Sequence, residues 1–96
     1  MPYYVLLGNW TEEGVRAVKQ APKRAEAFHA AVSAAGGKVL LDLHTMGAYD
    51  FVTVVELPSD EVLNTLALRS GQQGYVRTTT LKGWNLAEFT QLTRQL

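Results

Sequence analysis

The sequence predicts an α+β fold: a four-stranded antiparallel sheet, two helices packed on one face, and a further helix at the C-terminus. Three observations carry this expectation. Four β-rich runs, at residues 3–10, 38–45, 50–57 and 75–81, alternate with helical stretches in the order β-α-β-β-α-β. A turn signal, Met46-Gly47-Ala48-Tyr49-Asp50, sits between two strongly apolar runs. Near the end, Asn85 and Glu88 have the spacing of a capping box.

The first strand, 3–10, ends at Thr11, whose hydroxyl can cap a helix begun by Glu12 and Glu13, two carboxylates suited to the helix dipole. Pro22 interrupts that pattern, so a short helical turn precedes a main helix from Pro22 to about Ala35. Ala25, Phe28, Val32 and Ala35 form its buried stripe, and Gly36-Gly37 stops it. The two middle strands form a hairpin around Gly47-Ala48, where glycine allows the positive φ of a type II′ turn. Pro58-Ser59-Asp60-Glu61 opens a second helix with Val62, Leu63, Leu66, Ala67 and Ser70 at helical spacing, closed by Gly71 and Gly74. The last strand is rich in valine and threonine. In the terminal helix, 85–95, Leu86, Phe89, Leu92 and Leu96 make one apolar stripe, and Trp84 and Phe89 have the spacing of a hydrophobic staple. The whole reads as one domain, 1–96, with a core at 3–82.

Composition narrows the partners. Nine Lys and Arg balance nine Asp and Glu, so net charge gives no reason to expect nucleic acid or an anionic membrane. The cluster Lys19, Lys23 and Arg24 is offset by Glu12, Glu13 and Glu26 and reads as a solvated helix face. With no cysteine, disulfides, thiolate chemistry and cysteine-held metals are excluded, and no metal or cofactor is expected. The N-terminal apolar run is too short for a signal peptide or a bilayer span, which implies a soluble, cytoplasmic protein.

Both alternations of the strands are apolar: Tyr3, Val5 and Leu7 against Tyr4 and Leu6, and Phe51 and Val55 against Val52 and Val54. A half-exposed sheet does not need this, so the second face is expected to be covered. Four strands make a face of about 330 Å² in projection, already the size of the largest patch a typical monomer tolerates, about 300–600 Å². Its gross burial is worth on the order of 8 kcal/mol per subunit before association costs. The expected assembly is a homodimer, or a multiple of dimers, with sheets face to face.

Residues 4–14 (Tyr-Val-Leu-Leu-Gly-Asn-Trp-Thr-Glu-Glu-Gly), Gly36-Gly37-Lys38, the Gly47, Tyr49 and Asp50 turn followed by Phe51-Val52, and Val76-Arg77-Thr78-Thr79-Thr80 together resemble the GYD domain family. The resemblance spans residues 3 to 82, with Ala48 inserted in the eponymous element. It implies a ferredoxin-like fold of the dimeric α/β-barrel group. It implies no reaction, since related folds serve as monooxygenases, haem enzymes and amino-acid-sensing domains.

Opposed residues of an antiparallel pair share a face, which groups Leu41, Leu43, Val52 and Val54 on one side of the hairpin and Asp42, His44, Tyr49, Phe51 and Thr53 on the other. The aliphatic set is expected against the helices, leaving Asp42, His44, Tyr49 and Thr53 to face the dimer cavity. His44 is the candidate acid/base, with Asp42 positioned to orient it. Asn9 and Trp10 would line the pocket mouth, and Arg77 would bind a carboxylate or phosphate, or pair with Glu56 or Asp50. Gly47 and Asp50 are turn residues, Asp50 accepting backbone hydrogen bonds, and His29 is a helix boundary residue.

Three functions stay open. The first is a barrel enclosing a pocket for a small apolar or anionic molecule. The second is a cofactor-independent oxygenase or isomerase using His44. The third is a protein-interaction module acting through the terminal helix or a sheet edge.

Overall fold

The computed structural model describes residues 1–96. The chain runs β1 (Tyr3–Trp10), α1 (Glu12–Arg16), a 3-10 turn (Val18–Gln20), α2 (Ala21–Ala34), β2 (Lys38–His44), β3 (Phe51–Glu56), α3 (Asp60–Gln72), β4 (Val76–Gly83) and α4 (Leu86–Thr93). The sheet is open, antiparallel and ordered β2-β3-β1-β4, so the ferredoxin-like expectation agrees with its topology.

Local chemistry sets the boundaries. Thr11 caps α1 by accepting from the Gly14 N–H at 3.1 Å, Ser59 caps α3 by accepting from Val62, and Pro22 lies in the first turn of α2. Asn85 and Glu88 form the expected capping box, each side chain accepting from the other's backbone N–H at 2.8 and 2.9 Å. The hairpin differs from the two-residue turn read in the sequence. Six residues, 45–50, connect β2 to β3, closed by Thr45 N–H donating to the Asp50 carbonyl at 2.9 Å and Thr45 Oγ1 donating to the Tyr49 carbonyl at 2.5 Å. Gly47 supplies its positive φ, 109°, inside this longer loop. The loop is anchored sideways instead: Asp50 donates its N–H to the Gly8 carbonyl and accepts from the Trp10 N–H at 2.9 Å.

The core lies between the sheet and α2 and α3, where Tyr4, Leu6, Val32, Val55, Leu57, Leu63 and Leu66 cluster. The pairing of hairpin residues follows the sequence reading, with Leu41 opposite Val54 and Asp42 opposite Thr53, but the two faces are exchanged. Strand β1 decides this. Its buried residues Tyr4 and Leu6 pair with Val55 and Thr53, which brings Asp42 and His44 to the helix side and leaves Leu41 and Leu43 on the open side. The hairpin's more aliphatic face is therefore the open one, contrary to its expected place against the helices. A bulge at Leu40 resets alternation, so that Val39 returns to the helix side opposite Val55.

At the rim of the core, the Tyr4 hydroxyl donates to Asp60 Oδ1 at 2.5 Å, and Lys82 Nζ lies 2.9 Å from the same oxygen. Burial of the Tyr4 ring, reinforced by the Asp60 carboxylate, pushes its phenol up to about 12. The hydrogen bond from Tyr4, with that from Lys82 behind it, holds the Asp60 carboxyl below its usual range.

Two apolar surfaces remain uncovered. One is the open sheet face, carrying Val5, Leu7, Leu41, Leu43, Val52, Val54 and Leu81. The other is α4, where Leu86, Phe89 and Leu92 are all exposed and the Trp84–Phe89 staple leaves both residues more than half exposed, at 55% and 56%. Only 11 of 96 residues are buried, and the radius of gyration is 14.3 Å where a compact chain of this length has about 12.5 Å. The helix projects rather than packs.

Candidate functional site

A cavity of about 100 Å³ opens between α2, α3 and the helix-facing side of the sheet. Its floor is made of two cross-strand rows. One runs Asp42, Thr53, Leu6; the other runs His44, Phe51, Gly8 and Thr78. Gly8 is required here because the Phe51 ring lies flat across it: a Cβ built on Gly8 would sit 1.9 Å from Phe51 Cζ. Trp10 closes one end, with its ring centroid 5.9 Å from that of His44, and His44 in turn lies 6.2 Å from Phe51. Helices α2 and α3 supply the roof with Arg24, Phe28 and Ser70, joined by Gln73 just past the end of α3.

The polar geometry centres on Asp42. His29 Nε2 lies 2.6 Å from Asp42 Oδ2, and Thr53 Oγ1 donates to Oδ1 at 3.0 Å. The three side chains tie α2 to the β2–β3 hairpin across the cavity rim. The order of the groups matters chemically. In a nucleophilic triad the histidine stands between acid and hydroxyl, whereas here the carboxylate does, so Asp42 accepts a hydrogen bond from Thr53 and no imidazole is hydrogen-bonded to the Thr53 oxygen. No group of three or more His or carboxylate side chains converges as a metal site would need.

Arg24 is the other charged group of the cavity. Its Nη1 donates to the Ala17 carbonyl at 3.1 Å, and its guanidinium lies 4.4 Å from the centre of the Tyr75 ring. Its Nη2 is buried and has no hydrogen-bond partner.

Of the residues singled out in the sequence, Trp10, Asp42, His44 and Thr53 come together, but beneath the helices rather than in a space between two sheets. Asp42 does not orient His44; it is engaged by His29 and Thr53, and His44 is held by aromatic neighbours. Tyr49 stays in the connection, receiving Thr45 at its carbonyl. Asn9 and Arg77 stand opposite each other in the register of β1 and β4, on the open face. Arg77 pairs with neither Glu56 nor Asp50, since the ion pairs are Arg16 with Glu12 and Glu13, His29 with Asp42, and Lys82 with Asp60. Asp50 accepts a backbone hydrogen bond from Trp10, at the end of β1.

His29, Arg24 and Tyr75 were not expected at a site. His29 lies one position from Phe28 on the helix, so a polar residue at the edge of an apolar stripe was the available signal. Arg24 was hidden in a basic cluster whose other members, Lys19 and Lys23, are exposed.

The GYD domain pattern matches residues 4–93 of this chain, and the chain belongs to that family. It is also similar to the "Glutamine synthetase and cystathionine beta-lyase binding protein" of Thermus thermophilus, with 27% identity over 89 residues, 92% of this chain and 94% of the relative. No helix is long and apolar enough to cross a membrane.

Proposed function

We propose that this member of the GYD domain family is a homodimeric protein-binding module that docks on metabolic enzymes. Two copies bury their open sheet faces against each other, as in a dimeric α/β barrel, and α4 carries the docking surface. The observation that carries the reading is the unpartnered α4. Its Leu86, Phe89 and Leu92, with Leu96 beyond its end, form a stripe of exposed apolar residues, although the helix is firmly started by its capping box. A helix built to hold its shape and to expose its apolar side suits insertion into a groove of a partner. The name of the Thermus thermophilus relative, a protein that binds two enzymes, supports the same reading. Action in the cytoplasm belongs to this proposal.

The test is biolayer interferometry of the purified chain against glutamine synthetase and cystathionine beta-lyase from the same source organism. Saturable binding to either enzyme, weakened at least about tenfold by Phe89→Glu with dimer mass retained, is the expected result. Failure to bind both enzymes would refute the assigned partners, and loss of the dimer in Phe89→Glu would move α4 into the subunit interface. The reading of His44 as an acid/base catalyst has less support, because the residue is exposed, with the Trp10 and Phe51 rings as neighbours and no side-chain hydrogen bond orienting its imidazole.

A further inference from the structure

The geometry points to a binding site for a small organic carboxylate in the cavity beneath α2 and α3, with Arg24 as the residue that receives it. Three features converge there. The guanidinium is held on two sides, by the Ala17 carbonyl and by the Tyr75 ring. Its Nη2 is a buried donor without a partner, which protein interiors rarely leave, and Arg24 is one of the residues that line the cavity. No carboxylate of the chain neutralises it: Arg24 takes part in none of the ion pairs, and the acid that shares the cavity, Asp42, has its two oxygens engaged by His29 and Thr53.

The charge specifies an anion, and the rest of the wall specifies which kind. A planar guanidinium matches a carboxylate through paired hydrogen bonds. Ser70 and Thr78 add hydroxyl groups, whereas Trp10 and Phe28 offer apolar surface that an inorganic ion would not use. The volume, about 100 Å³, is several times what one water needs and less than the roughly 150 Å³ that accommodates benzene, so the ligand has fewer than about six non-hydrogen atoms. Short-chain carboxylates meet all of these conditions. Arg24 also borders the open groove between α2 and α3, which gives such a ligand a route from solvent. The site is independent of the partner-binding reading, and either can fail without the other.

The experiment is a titration of the isotope-labelled full chain with sodium propionate at ionic strength held constant with sodium chloride. It follows the Arg24 guanidinium and Trp10 indole resonances by NMR. Saturable shifts at both groups are expected, with nuclear Overhauser contacts from the propionate methyl to the Phe28 and Trp10 rings. Arg24→Gln should weaken binding at least about tenfold, the loss of a charge-assisted hydrogen bond. Should Arg24→Gln fail to fold, Ala67→Leu, which fills the cavity from α3, provides the second variant and should abolish the shifts. Absence of saturation in the unmodified chain, equal affinity in either folded variant, or identical shifts on adding sodium sulfate in place of propionate would overturn the assignment.

Discussion

Replacing Leu43 by Asp puts the proposed subunit interface to its most direct test. Leu41, Leu43 and Leu81 are 45%, 51% and 49% exposed on the open face of the sheet, so each retains about half of its burial free energy. Complete burial of a leucine is worth about 1.5–3 kcal/mol, which leaves about 0.8–1.5 kcal/mol per side chain to be gained on association. Counted over both subunits, the three leucines contribute about 5–9 kcal/mol, within the range of about 4–15 kcal/mol that association costs. The half-buried Val5, Leu7, Val52 and Val54 supply the surplus. Leu43→Asp removes about 1.5–3 kcal/mol of that gain from a symmetric dimer and places two carboxylates in an apolar interface, at several kcal/mol each. A weakening of at least about 4 kcal/mol, or roughly a thousandfold in dissociation constant, is expected. Sedimentation velocity across a micromolar concentration series measures it, and far-ultraviolet circular dichroism should show an unchanged fold because the position is solvent-exposed in the single subunit. A monomer at every concentration for the unmodified chain, or a variant that associates as tightly, would refute the face-to-face dimer.

Two further predictions concern the single subunit. A Cβ on Gly14 would lie 2.0 Å from the Tyr75 carbonyl oxygen, a backbone atom that cannot swing aside, so Gly14→Ala should cost about 1–3 kcal/mol and lower Tm by roughly 4–8 °C per kcal/mol in a thermal melt. The Tyr4 phenol, raised to about 12 in the folded state from its ordinary 10, contributes stability that is complete below pH 10 and is lost as pH rises through about 12. Asp60, lowered by Tyr4 and Lys82, contributes in the opposite direction: its share is present above the ordinary carboxyl value and is lost as pH falls through the depressed one. Urea denaturation as a function of pH should show Tyr4→Phe losing part of the alkaline dependence, and identical profiles for the two proteins would refute the raised Tyr4 phenol.

Much of the fold was legible because its signals are local. Thr11, Ser59 and Asn85 announce helix starts through the chemistry of single side chains, and the capping box needs only two residues three apart. Pairing across the hairpin was legible for a similar reason, since alternation is fixed by backbone geometry. Which face meets the helices was not. That choice rests on β1, whose Tyr4 and Leu6 lie more than 40 residues from their β3 partners Val55 and Thr53. The candidate site suffered from the same distance. His29 and Asp42 meet only once α2 lies over the hairpin, and Arg24 acquires its place from Tyr75, 51 residues away. Composition shows a basic cluster there; it does not show which member turns inward.

The strand order β2-β3-β1-β4 also bears on how the protein comes to be folded. Strand β1 is a central one, and its two neighbours are β3 and β4, with Tyr3 paired to Glu56 on one side and to Gly83 on the other. Only the β2–β3 hairpin joins strands close in sequence. Folding therefore has to close long loops before most of its sheet is rewarded, which sets a slow rate for so short a chain. During synthesis, β1 waits with an unpaired edge until β4 (Val76–Gly83) has been made, and its Tyr-Tyr-Val-Leu-Leu run is open to aggregation in that interval.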